Sequence, residues 1–128
     1  MALRDELRVM IVDDMSISRG LLAQALDSFG IHDVSAADDG TTAISAIQKY
    51  PVHLVISDYD MPNMNGLHLL HALRNTERTK GIGFILVTGH SNDEIIDAGR
   101  RLGMNNFLEK PFNLDGLRAC IETVVGRL

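Results

Sequence analysis

Val52-His53-Leu54-Val55-Ile56-Ser57-Asp58, followed at once by Tyr59-Asp60-Met61-Pro62-Asn63-Met64-Asn65-Gly66, decides the fold of this chain. The first stretch is continuous, apolar and β-branched. It reads as a strand buried on both faces, the kind found in parallel sheets. The second stretch is rich in Pro, Asn and Gly and reads as a loop. Asp58 sits at the junction, so its carboxylate ends a buried strand and opens a crevice.

The same pattern recurs along the chain. Val9-Met10-Ile11-Val12 runs into Asp13-Asp14, and Phe84-Ile85-Leu86-Val87 runs into Thr88. His32 to Ala37 and Asn105 to Glu109 are more polar and read as edge strands, the latter running into Lys110. Helical periods separate these runs. Ile17, Leu21, Ala25 and Phe29 recur every four residues, widened by Leu22 and Leu26. Ala43, Ile47 and Tyr50 form a second stripe, and Leu67, Leu70 and Leu73 a third. A fourth helix is expected from Ser91-Asn92-Asp93-Glu94, where Ser followed three residues later by Glu suggests a capping box. It continues through Ile95, Gly99 and Leu102 and stops at Gly103. Leu114, Leu117, Ile121, Val124 and Leu128 mark the fifth.

Five strands alternating with five helices predict an α/β domain, a doubly wound (βα)5 parallel sheet. The most apolar strands belong at the centre, which suits the flavodoxin-like order 2-1-3-4-5. Ligands of such sheets bind beyond the carboxyl ends of the strands, where the order reverses. Here that place lies between the first and third strands, at Asp13, Asp14 and Asp58.

Composition bounds the function. At 128 residues, one domain spanning 1–128 with no effector domain is expected, burying roughly two-thirds of its unfolded surface. The net charge of −5 and the scattered basic residues argue against a nucleic-acid surface. Cys120, the single cysteine, has no partner for a disulfide and reads as a small buried hydrophobe. The first residues carry no signal-peptide core, and no apolar run is long enough to span a membrane, so a cytoplasmic protein without membrane insertion is expected.

Four strand ends thus deliver three carboxylates, a hydroxyl and an ammonium to one sheet edge. Like charges at ~4 Å cost about 4 kcal/mol per pair with an effective dielectric near 20. Either a carboxyl is protonated or a cation sits among them. The candidate ligands are oxygens, which favours a hard cation, and Mg²⁺ suits few carboxylates plus waters and a phosphate oxygen. Lys110 supplies a charge that pairs with phosphate, and Gly89 beside Thr88 leaves the backbone open. A carboxylate can itself be the nucleophile, forming an aspartyl-phosphate. Taken singly, a strand-end Asp is usually a helix cap or turn former; the joint placement argues for a site.

Val12-Asp13-Asp14, Asp58-x-x-Met61-Pro62-x-x-x-Gly66, Thr88-Gly89 and Lys110-Pro111-Phe112 together resemble the response-regulator receiver domain of two-component signalling, and within it the free-standing CheY-like proteins. The resemblance covers residues 7 to 127. It implies that Asp58 is the phosphoacceptor. Asp13, Asp14, Asp58 and the main-chain carbonyl of Asp60 would hold Mg²⁺. Thr88 would contact the phosphoryl group and Lys110 would bind one of its oxygens. It also implies a cis Lys110–Pro111 bond and a switch role for Phe107, whose ring would turn inward as Thr88 moves. The implied output face is the fourth helix, the fifth strand and the fifth helix. Asp60 and His90 flank the pocket and are expected to tune phosphate lifetime.

The implied function is a phosphorelay switch that catalyses its own phosphorylation and dephosphorylation rather than an enzyme acting on a substrate. Its partners would be a histidine kinase or a phosphotransfer domain and a downstream protein such as a flagellar motor switch in chemotaxis. Two other readings compete. Asp58-Tyr59-Asp60 also resembles the opening of haloacid-dehalogenase phosphatases, but Pro62 stands where Thr or Val is expected and the acidic pair precedes the nucleophile. A phosphorylation-independent scaffold usually lacks an acidic residue or the lysine, and both are present. His68 and His71, three apart on a helix, lack a third ligand and read as exposed polar residues.

Overall fold

The computed structural model describes residues 2–89 and 92–128. A five-stranded sheet is built from β1 (Arg8–Val12), β2 (Asp33–Ala37), β3 (Leu54–Asp58), β4 (Gly83–Thr88) and β5 (Asn106–Glu109). Its order is β2-β1-β3-β4-β5, and all neighbours are parallel. The expected flavodoxin-like order is therefore observed. Every residue of β3 is buried, whereas β2 and β5 are largely exposed or half-exposed, as their polar sequences require.

Among the described residues the helices are α1 (Leu3–Glu6), α2 (Ser16–Ser28), α3 (Gly40–Lys49), α4 (Gly66–Arg74), α5 (Asp93–Leu102) and α6 (Leu114–Val125). The short α1 is additional to the five expected. Strand side chains alternate between faces, so the sheet separates two cores. Val9, Ile11, Leu54, Ile56, Ile85 and Val87 pack with Leu22, Leu26, Leu117 and Ile121 of α2 and α6. Met10, Val12, Val55, Phe84 and Leu86 pack with Ala43, Ile47, Leu69, Leu70 and Leu73 of α3 and α4.

Three details differ from expectation. Ile17 and Leu21 are 76% and 61% exposed, while Leu22, Ala25, Leu26 and Phe29 are buried. A repeat of four drifts about 40° per step around a helix of 3.6 residues per turn, so the early members of that series leave the core face. Tyr50 is exposed because it is the C-cap of α3, with non-helical φ and ψ, and helical spacing does not apply to it. The cap of α5 is Asn92, whose side chain accepts from the Ile95 N–H at 2.8 Å, one residue later than the expected capping box. Ser91 lies outside the described residues. Gly103 ends α5 with φ 97° as expected, a conformation that suits glycine.

Asp39, Asn65 and Asn113 cap α3, α4 and α6 in the same manner as Asn92. α2 differs: its N-cap, Met15, supplies no side-chain hydrogen bond. No helix among the described residues is long and apolar enough to cross a membrane.

Candidate functional site

The parallel register brings the ends of β1, β3, β4 and β5 to one edge. Asp58, the last residue of β3, pairs in register with Val87, beside Thr88 at the end of β4. The Lys110 N–H donates to the Thr88 carbonyl at 2.9 Å, and the Asp13 N–H to the Ala37 carbonyl at 3.1 Å. Asp13, Asp58 and Thr88 are buried, at 1%, 6% and 0% exposure. Asp14 is exposed.

The loop after Asp58 is folded back on the strand ends. Tyr59 donates its N–H to Val87 at 2.8 Å, and Gly66 donates to the Tyr59 carbonyl at 2.9 Å. A Cβ at Gly66 would lie 2.6 Å from the Asp58 carbonyl oxygen and 2.6 Å from Leu86 Cδ1, so this turn requires glycine. The same loop carries Asn63 at φ 68°, a conformation that Asn tolerates better than most residues.

Asp58 is held from two sides. Lys110 Nζ donates to its Oδ2 at 3.0 Å, and the Asp60 N–H donates to its Oδ1 at 3.3 Å. Burial pushes its carboxyl above the ordinary carboxylate range; Lys110 opposes that rise and Asp13 adds to it. Asp13 is held through one carboxylate oxygen and its main chain. The Met15 N–H donates to its Oδ1 at 2.9 Å, and Arg19 Nη1 donates to its main-chain carbonyl at 2.7 Å. Its Oδ2 is buried without a hydrogen-bond partner, 4.0 Å from Lys110 Nζ.

Asp13, Asp14 and Asp58 each present an oxygen within 4.8 Å of the others. A buried, unpartnered carboxylate oxygen beside two further carboxylates is the donor set that a hard divalent cation fits. Asp60 follows with its side chain exposed. The Lys110–Pro111 peptide is cis, as the resemblance implied. Phe107 is half-buried against the core formed with α3 and α4. His90, expected to flank the pocket, lies outside the described residues.

Sequence reasoning missed two contributors. Ser57, fully buried, donates its hydroxyl to the Asp58 carbonyl at 3.0 Å. Arg19 grips Asp13 from one helical turn away. Its one sequence signal is that a cation in the first turn of a helix opposes the helix dipole. The remaining candidates resolve as structural. Cys120 is buried, and its thiol is pushed up to about 11 by burial. His68 and His71 are exposed and hydrogen-bonded to Asn65 and Asn75 rather than to a shared ligand.

The family described as "Response regulator receiver domain" matches residues 9–122. The chain is 38% identical to a protein named "Probable chemotaxis protein CheY" from Rhizobium etli, over 100% of this chain and 99% of that one. It is 34% identical to a "Chemotaxis protein CheY" from Pseudomonas aeruginosa, over 95% of this chain and 98% of the relative. Among solved structures it is similar to the Vibrio cholerae chemotaxis protein CheY4, with a TM-score of 0.87, 30% identity, and coverage of 92% and 98%.

Proposed function

We propose, from the premise that this chain belongs to the response regulator receiver family, that Asp58 accepts a phosphoryl group and that the change is read by a protein partner. The observation that carries this reading is the buried Asp58 carboxylate, bonded to Lys110 at 3.0 Å and clustered with Asp13 and Asp14 within 4.8 Å. The family match favours neither the haloacid-dehalogenase reading nor the scaffold reading.

In the proposed reaction an Asp58 oxygen attacks the phosphorus of a phosphohistidine on a histidine kinase or its phosphotransfer domain. An O–P bond forms, the P–N bond breaks, and the imidazole leaves with the electron pair. Asp13, Asp14, Asp58 and the Asp60 carbonyl would hold Mg²⁺, which would supply positive charge to balance the carboxylates and the incoming phosphoryl oxygens. Lys110 leaves Asp58 Oδ2 and takes a phosphoryl oxygen, and Thr88 donates its hydroxyl to another. The movement of Thr88 lets Phe107 turn inward, changing the surface of α5, β5 and α6. Water later attacks phosphorus and returns the carboxylate and inorganic phosphate. The whole cycle runs within this one receiver unit, in the cytoplasm.

The printed names of the relatives point to chemotaxis, and a flagellar motor switch is the proposed downstream partner. Asp58→Asn tests the assignment. Wild-type protein should take up label from a small acyl-phosphate donor in a Mg²⁺-dependent manner, approaching one label per chain, and Asp58→Asn should take up none. Equal labelling of the two would sink the assignment.

A further inference from the structure

We propose that Arg19 is a positioning residue for the cation site, one that sets divalent-cation affinity by locking Asp13. The inference rests on the reading of the acidic cluster as a Mg²⁺ site. Arg19 stands in the first turn of α2, where a cation opposes the helix dipole and anions are favoured. No carboxylate among the described residues pairs with it to explain that placement. Its Nη1 instead donates to the Asp13 main-chain carbonyl at 2.7 Å, a short charge-assisted bond.

That bond has a geometric effect. Asp13 sits in the turn between β1 and α2, and α2 has no side-chain N-cap to fix its start. Arg19 holds the Asp13 backbone from the helix side, while the Met15 N–H holds Oδ1 at 2.9 Å. With both restraints in place the second carboxylate oxygen stays in the buried pocket, without a hydrogen-bond partner. A ligand oxygen held this way costs little to organise when the cation arrives.

The charge and the geometry of Arg19 predict opposite signs. A positive guanidinium near a cation site weakens cation binding through Coulomb repulsion. If charge alone mattered, removing it would tighten Mg²⁺ binding. If positioning dominates, removing it loosens binding, and outer-shell partners of metal ligands typically contribute about 10–100-fold in affinity.

The experiment is calorimetric titration of the unphosphorylated full chain with Mg²⁺, comparing wild type with Arg19→Met, Arg19→Gln and Arg19→Lys. Thermal unfolding in chelator establishes that each variant is folded. Arg19→Met should bind Mg²⁺ about tenfold or more weakly. Arg19→Lys, which keeps a donor and the charge, should recover most of the loss. If Arg19→Met does not fold, Arg19→Gln carries the same expectation of weaker binding. Unchanged or tighter binding in the folded variants overturns the role of Arg19 while leaving the cation site standing. Absence of Mg²⁺ binding by wild type overturns both.

Discussion

The two edges of the sheet treat their polar groups in opposite ways: those at the amino edge are largely exposed and paired, those at the carboxyl edge largely buried and crowded. At the amino edge the groups are paired off. The Arg8 N–H donates to His53 Nδ1 at 2.9 Å, and the His53 N–H and carbonyl bond Arg8 and Gly83, tying the starts of β1, β3 and β4 together. Asn105 Oδ1 accepts from both the Phe84 N–H at 2.8 Å and Arg74 Nη2 at 3.1 Å. At the carboxyl edge Asp13 Oδ2 is buried with no hydrogen bond, Asp13 and Asp58 share one ammonium, and Asp14 brings a third carboxylate within 4.8 Å of both. Buried polar groups are normally satisfied, so the unpaired Asp13 oxygen at the carboxyl edge costs stability, while the bonded groups of the amino edge do not. The division has one exception: Arg74 Nη1 at the amino edge is also buried without a partner, although the rest of its guanidinium grips the Gly103 carbonyl at 3.0 and 3.1 Å.

The largest effect that would break this comparison belongs to Asn105. Asn105→Ala leaves the Phe84 N–H without its Asn105 partner at the start of a central strand and should cost about 1–3 kcal/mol in urea unfolding. Acyl-phosphate labelling of the folded variant should be unchanged. A loss below about 0.5 kcal/mol would show that the amino edge is not where stability resides.

The carboxyl edge predicts a pH dependence of the opposite kind. Burial raises the Asp58 carboxyl in the folded state above its unfolded value. The unfolded chain therefore ionises first as pH rises, and ionised Asp58 weighs against folding. The penalty is absent below the unfolded value, grows through the interval between the two, and is complete above the folded value. In chelator, wild type should lose stability relative to Asp58→Asn across that interval as pH rises towards neutrality. A difference independent of pH would mean that Asp58 carries no such penalty.

The smallest effect is expected away from both edges. Leu21→Ser, at a residue 61% exposed on α2, should change unfolding free energy by less than about 0.5 kcal/mol. A larger loss would show that this helix face is covered in solution.

Much of the fold was legible because burial on both faces leaves a plain trace. Runs such as Leu54-Val55-Ile56 are apolar without alternation only when helices cover both sides, and the polar edge strands then fix the order. Boundaries were less legible. Ile17 was misassigned because a four-residue spacing drifts around the helix, and the cap of α5 falls at Asn92 because a Ser-to-Glu spacing does not separate two neighbouring helical registers. The strand-end site was legible because its chemistry is carried by side chains that end apolar runs. Arg19 and Ser57 were not, because each acts on a main-chain carbonyl. A carbonyl acceptor is present at every residue, so no sequence pattern marks the one that is used.

The ammonium of Lys110 among three carboxylates has a further consequence for charge balance. With all groups ionised these four side chains carry a net charge of −2, which one divalent cation would cancel. Under the proposed function, loading with Mg²⁺ would bring the net charge of the pocket to zero. The proposed replacement of the single Asp58 charge by a dianionic aspartyl-phosphate would then leave one net negative charge at the carboxyl edge. Across a Debye length of about 8 Å at physiological salt, that one unit would be the whole change in net charge that the proposed partner meets. In the proposed cycle the remainder of the message would travel as shape.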